Sequence, residues 1–102
     1  MPLPTEADVR GALEPVIDPE FGLSVLDLGL VYGIAISAEG AVHVTFTATT
    51  RGCPVTEVLA RGIFRAVSAL DGVTAVSTEL VWEPPWDPSR IAPDALRRLE
   101  ER

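Results

Sequence analysis

The one thiol of the chain, Cys53, stands in the run Thr49-Thr50-Arg51-Gly52-Cys53-Pro54, directly ahead of an apolar pattern with helical spacing. Pro is favoured in the first turn of a helix, so the run places Cys53 at or beside an N-cap. Free backbone N–H groups and the helix dipole favour a thiolate there, and the Arg51 charge adds to them. A pKa below the ~8.5 of a free cysteine follows. Cysteine is not a preferred cap residue, so capping does not explain its presence. A buried, inert cysteine filling the turn is the competing reading, and spacing leaves both open.

The next candidates are carboxylates. Asp18, Glu20 and Asp27 lie close together in sequence and have the chemistry of hard metal ligands or bases. Turn formation explains them more simply, because Asp before Pro and Asp27 ahead of Leu28-Gly29 are turn formers. His43 has no second histidine or cysteine near it and falls on the polar side of an alternating run, which reads as a sheet surface position. Trp82 and Trp86 flank a Pro-rich bend and read as core packing, with a partner contact as the alternative. A nucleotide loop, an HExxH helix, a GxSxG elbow and a CxxC pair are all missing, so the common catalytic signatures are absent.

These residues need elements to position them. Thr5 and Asp8 ahead of Val9, Ala12 and Leu13 predict a capped helix from about Glu6, ending before Pro15. Residues 18–29 carry turn formers without a sustained period and predict an ordered loop. Leu30 to Ser37 and Ala41 to Thr49 alternate as two strands of a hairpin around Ala38-Glu39-Gly40. Val42, Val44, Phe46 and Ala48 fall on its apolar side, and His43, Thr45, Thr47 and Thr49 on the polar one. Val55, Val58, Leu59, Gly62, Ile63, Ala66, Val67 and Leu70 form the apolar stripe of a second helix. Asp71-Gly72 ends it, and Val73 to Trp82 reads as a third strand reached by a right-handed crossover. A stiff segment, Glu83 to Pro88, then leads to a short charged helix opened by Pro93 and carrying Leu96 and Leu99. The predicted class is α+β in the order α-β-β-α-β: a small mixed three-stranded sheet, two helices packed on one face and a short C-terminal helix.

With 102 residues, 47% of them hydrophobic and 23% charged, the chain has the balance of one domain over 1–102, its core about 5–88 and its tail about 89–102. A formal net charge of -7 repels a phosphate backbone, which argues against nucleic acid as a partner. No apolar run approaches the ~20 residues of a membrane span. The opening Met1-Pro2-Leu3-Pro4-Thr5-Glu6 lacks the order of a signal peptide, and one cysteine cannot close a disulfide within the chain, so a cytoplasmic location is expected.

Four ordered motifs carry a resemblance: Val16 to Glu20, Asp27 to Tyr32, Thr47 to Pro54, and Glu83 to Trp86. Together they resemble the iron-sulfur cluster assembly domain family that contains PaaD-like and SufT-like proteins. The match runs from about Val9 to the last helix. It implies a maturation factor for iron-sulfur or other metal-sulfur proteins rather than an enzyme. Cys53 is then the cluster or metal ligand, with Asp18, Glu20, Asp27, Thr47 and Thr49 as the residues around the cofactor. Arg51 departs from the neutral residue usual at that place, and the chain has no cysteine-bearing tail of the PaaD kind. Clusters are usually held by four ligands, mostly thiolates, so one thiolate per monomer implies transient binding of cluster or iron. A homodimer, client apo-proteins or other assembly proteins would complete the ligand set. A pure adaptor, in which Cys53 is dispensable, and a thiol-dependent enzyme are the alternatives.

Overall fold

The computed structural model describes residues 2–49, 51 and 55–101. Helix α1 (Glu6–Leu13) begins as its sequence predicts. The Thr5 hydroxyl accepts from the Asp8 amide at 3.1 Å and the Asp8 carboxylate accepts from the Thr5 amide at 2.9 Å, which satisfies two otherwise free donors. Val9 and Leu13 turn its narrow apolar face into the core.

Strands β3 (Val31–Ile36) and β4 (Ala41–Phe46) form the expected antiparallel hairpin, with a register shift between Val31 and Gly33. Its connection needs Gly40, whose φ of 88° is poorly open to other residues. Helix α2 (Val55–Ser68) then crosses the sheet and leads to β5 (Ala75–Leu80), which pairs parallel with β4. The sheet order β3-β4-β5 is therefore mixed, with α1 and α2 packed together on one face. Val42, Val44 and Phe46 meet Leu59, Ile63 and Val67 there.

Several details differ from the sequence reading. Residues 18–29 hold a miniature antiparallel pair, β1 (Ile17–Asp18) and β2 (Leu23–Ser24), where a loop is predicted. Two residues per strand are too few to give an alternating signal. Strand β4 stops at Phe46, so Thr47 escapes the alternation; it is fully buried, with its amide donating to the Leu30 carbonyl at 2.8 Å. In α2, Val58 belongs to the predicted stripe yet is 52% exposed, because the buried seam runs through Leu59, Ile63 and Val67, with Val55 and Ala60 packed partly against the core. The predicted start of this helix at Cys53-Pro54 lies outside the described residues.

The tail is an integral part of the domain. A 3-10 turn (Pro88–Arg90) precedes α3 (Pro93–Glu100), and Ile91 and Ala95 are buried in the main core. Asp87 caps the turn by accepting from the Ser89 hydroxyl and from its amide, and these bonds hold its carboxyl below the usual carboxylate range. Because the folded pKa is the lower one, the stabilising contribution is complete above the unfolded value and is lost as pH falls through the folded one. Ser89→Ala should raise the Asp87 carboxyl back towards its ordinary value in an NMR carboxyl titration. An unmoved midpoint would assign the shift to the helical turn itself.

Candidate functional site

The β1–β2 turn is organised by Asp18. Its Oδ1 accepts from the amides of Glu20 at 2.7 Å and Phe21 at 3.2 Å, and its carbonyl accepts from Gly22. This is the side-chain-to-backbone turn that Asp before Pro favours. Asp18 is also fully buried, and its other oxygen, Oδ2, has no hydrogen-bond partner among the described residues. The Thr47 hydroxyl is in the same position. Buried polar atoms are nearly always satisfied, because leaving one unpaired costs about 1 to 3 kcal/mol. Asp18 and Thr47 both belong to the predicted site.

The chain leaving β4 meets this turn directly: the Thr49 hydroxyl donates to Glu20 Oε1 at 3.1 Å. Residues 18–20 and 47–49, far apart in sequence, are thus neighbours at one end of the sheet. The tail closes the same end. Trp86 donates from its indole nitrogen to the Leu28 carbonyl at 2.7 Å and packs its ring against Phe21, centroids 6.1 Å apart. A cleft of about 160 Å³ remains, lined by Ala48, Thr49, Arg51, Trp82, Pro85 and Trp86. The Arg51 guanidinium lies over the Trp82 ring, 4.5 Å from its centroid. Both tryptophans are half-buried and pack on the core, as their sequence reading has it, and they also wall this cleft.

Asp27 has a different task. Its carboxylate accepts from Arg98 of α3 at 3.1 Å and its carbonyl from the Ala92 amide at 2.7 Å, so it ties the loop to the tail. The three acidic residues that cluster in sequence therefore do not act as one group. Asp18 serves its own turn, Glu20 meets Thr49, and Asp27 pairs with α3. Among the described residues no three His, Cys, Asp or Glu side chains gather as a metal site. Cys53 and its immediate neighbours Gly52 and Pro54 lie outside the described residues.

Elsewhere His43 bridges the open face of the sheet. Its Nδ1 is 2.7 Å from the Ser77 hydroxyl and its Nε2 is 3.0 Å from Glu79 Oε1. The sheet-surface role read from the sequence is correct, although the partners on β5 follow only from the parallel register that sets His43 beside Ser77.

Comparison with known proteins agrees with this architecture. The chain is 35% identical over 85 residues to the Fe-S protein maturation auxiliary factor YitW of Bacillus subtilis, covering 83% of each chain. A shorter stretch is 38% identical over 74 residues to an iron-sulfur cluster carrier protein of Mycobacterium tuberculosis, covering 72% of this chain and 19% of that one. The crystal structure of a domain of unknown function from Bacillus anthracis superposes with a TM-score of 0.90 at 32% identity, covering 95% of this chain and 92% of that one. Residues 6–78, which hold α1, the Asp18 turn, the sheet through Thr78 and all of α2, match the family described as iron-sulfur cluster assembly protein, and the chain belongs to that family.

Proposed function

We propose that this protein is a maturation factor for iron-sulfur proteins, which receives and passes on cluster or iron at the end of the sheet that holds Asp18, Thr47 and Thr49, with Cys53 as its thiolate ligand. The observation that carries this reading is the Asp18 carboxylate, buried with one oxygen used in its turn and the other unpartnered among the described residues. A fixed hard acceptor of that kind suits an iron ion, or a proton donor on a bound partner, and Cys53, four residues beyond Thr49 in the sequence, supplies a soft ligand. Glu20 and Thr49 brace each other around it. Asp27 acts at one remove, by docking the tail that walls the cleft.

One thiolate per chain is too few to store a cluster, since clusters are usually held by four protein ligands. The cargo is therefore held transiently, with the remaining ligands coming from a donor, a client apo-protein or a second copy of this chain in a homodimer. A reducing compartment, the cytoplasm, suits the free thiol. The names of the relatives, a maturation auxiliary factor and a cluster carrier, support both the role and the brief occupancy.

The test is complementation of cells lacking the protein. Cys53→Ser is expected to accumulate and fold as the native chain does, because serine differs from cysteine by one atom of similar size, yet to leave client proteins short of cluster. Full rescue by Cys53→Ser would make the protein an adaptor and remove the handover role.

A further inference from the structure

The two outer strands of the sheet are finished differently. β3 breaks its register between Val31 and Gly33, and the tail meets it through the Tyr32 hydroxyl, which donates to the Pro84 carbonyl at 2.9 Å, and through Arg90, 4.8 Å over the Tyr32 ring. Bulges and covering segments of this kind keep a sheet edge from pairing with another chain. β5 has neither. It runs six residues in unbroken register with β4 and holds no Pro or Lys, and among the described residues no backbone group outside β4 bonds to residues 75–80. An edge left open in this way is a template for one more strand.

The flank of this edge carries apolar groups and a polarised helix. Val76, Thr78 and Leu80 stand beside Val42, Val44 and Phe46, so they lie on the helix side of the sheet. Two clefts separate them from α2: one of about 390 Å³ between Glu57, Ala60, Thr78 and Leu80, and one of about 180 Å³ between Phe64, Ser68 and Val76. Leu80 is 37% exposed and Phe64 50%. Glu57 lies in the first turn of α2 and Arg65 in its last, and Arg65 has no carboxylate partner among the described residues.

The same surface, turned round, answers all of these features. A two-fold axis through Thr78 sets β5 antiparallel to the β5 of a second copy: Thr78 faces the partner's Thr78, Leu80 the partner's Val76 and Glu79 the partner's Ser77, so no like charges oppose. α2 runs back along β5, Glu57 level with Leu80 and Phe64 level with Val76. The axis therefore brings the Glu57 end of one α2 to the Arg65 end of the other, twice over. Arg61, midway between them, is neutralised by its own Glu57 at 3.4 Å. An extended segment of another protein could meet the open backbone, but a single strand brings no helix to pair with Glu57 and Arg65.

We propose that β5 and the adjoining side of α2 are a docking surface for a second copy of this chain, and that two copies join edge to edge into one six-stranded sheet. Phe64 and Leu80 are its apolar contacts, and the Glu57–Arg65 pairs set its direction. The interface stands apart from the maturation role and does not depend on it.

Sedimentation equilibrium at rising protein concentration tests this, and the native chain is expected to pass from monomer to dimer. Leu80→Lys and Phe64→Lys, both at exposed positions, should keep near-native melts and weaken association about tenfold or more, because each brings a charge into the contact. Val58→Lys is the control: Val58 is 52% exposed on the same helix but lines neither cleft, so the dimer should be unaffected. Glu57→Arg and Arg65→Glu each set like charges against each other twice, so either variant alone should be monomeric. An equimolar mixture of the two restores both pairs and should give a heterodimer about as tight as the native dimer. A native chain that stays monomeric at every concentration overturns the proposal and leaves the edge to a strand of another protein. Native-like association of Leu80→Lys and Phe64→Lys overturns it by placing the interface elsewhere, and a mixture that stays monomeric overturns the antiparallel arrangement. Complementation by Cys53→Ser reads the maturation role alone, so failure of either reading leaves the other standing.

Discussion

Gly29→Ala is expected to destabilise the protein by about 2 to 4 kcal/mol, which for a domain of this size lowers Tm by about 10 °C or more. Two effects add. Gly29 has φ of 74°, in the left-handed region where a side chain costs about 1 kcal/mol or more. A Cβ built there would also lie 2.6 Å from the Arg90 carbonyl oxygen and 2.9 Å from the Arg90 Cβ. Arg90 belongs to the tail, so the tail has to lift off the loop to make room. That movement would strain the Trp86 bond to Leu28 and the Arg98 pair with Asp27, which flank the contact. Gly11→Ala is the control: it lies within α1 with nothing inside 4 Å of its added Cβ, so propensity alone should leave the variant as stable as the native chain or slightly more so. Thermal melts of the two variants decide the matter. Equal melting of Gly29→Ala and the native chain would mean that the tail does not press on the loop.

The same junction marks what was legible in the sequence and what was not. Local signals were enough for α1, where Thr5 and Asp8 form the capping box that their spacing suggests. They were enough for the hairpin and the parallel third strand, because Val42, Val44 and Phe46 alternate and α2 supplies the crossover. Local signals fail where burial is decided by something distant. Thr47 continues the polar side of an alternating run, yet the strand ends one residue earlier and Leu30 covers it. Val58 has helical spacing, but the sheet beneath is three strands wide and leaves that side of the helix uncovered. Asp27 resembles its neighbours Asp18 and Glu20 in chemistry, while its partner lies 71 residues away on α3. No short-range pattern contains that pairing. The meeting of Thr49 with Glu20 was within reach only through the family resemblance, which names both residues without saying that they touch.

Asp18→Asn and Asp18→Ala are expected to separate the two oxygens of one carboxylate. In the native chain Oδ1 accepts two amides and Oδ2 is buried without a partner among the described residues. Alanine removes both oxygens and leaves the Glu20 and Phe21 amides short of an acceptor, a loss of charged hydrogen bonds and of turn geometry costing about 2 to 4 kcal/mol. Asparagine keeps an oxygen for those amides and replaces only the other by an amide group of the same size, so it should cost about 1 kcal/mol or less. The functional outcome runs the other way. An NH2 group cannot ligate a cation and offers a donor where the site has an acceptor, so Asp18→Asn should fail to restore cluster content in cells although its melt is near native. A turn that only shapes the loop predicts the opposite pairing, a well-folded asparagine variant that rescues fully. The comparison therefore reads the purpose of one buried oxygen atom directly: rescue by Asp18→Asn would make Asp18 a scaffold residue and leave Cys53 as the sole chemical group of the handover site.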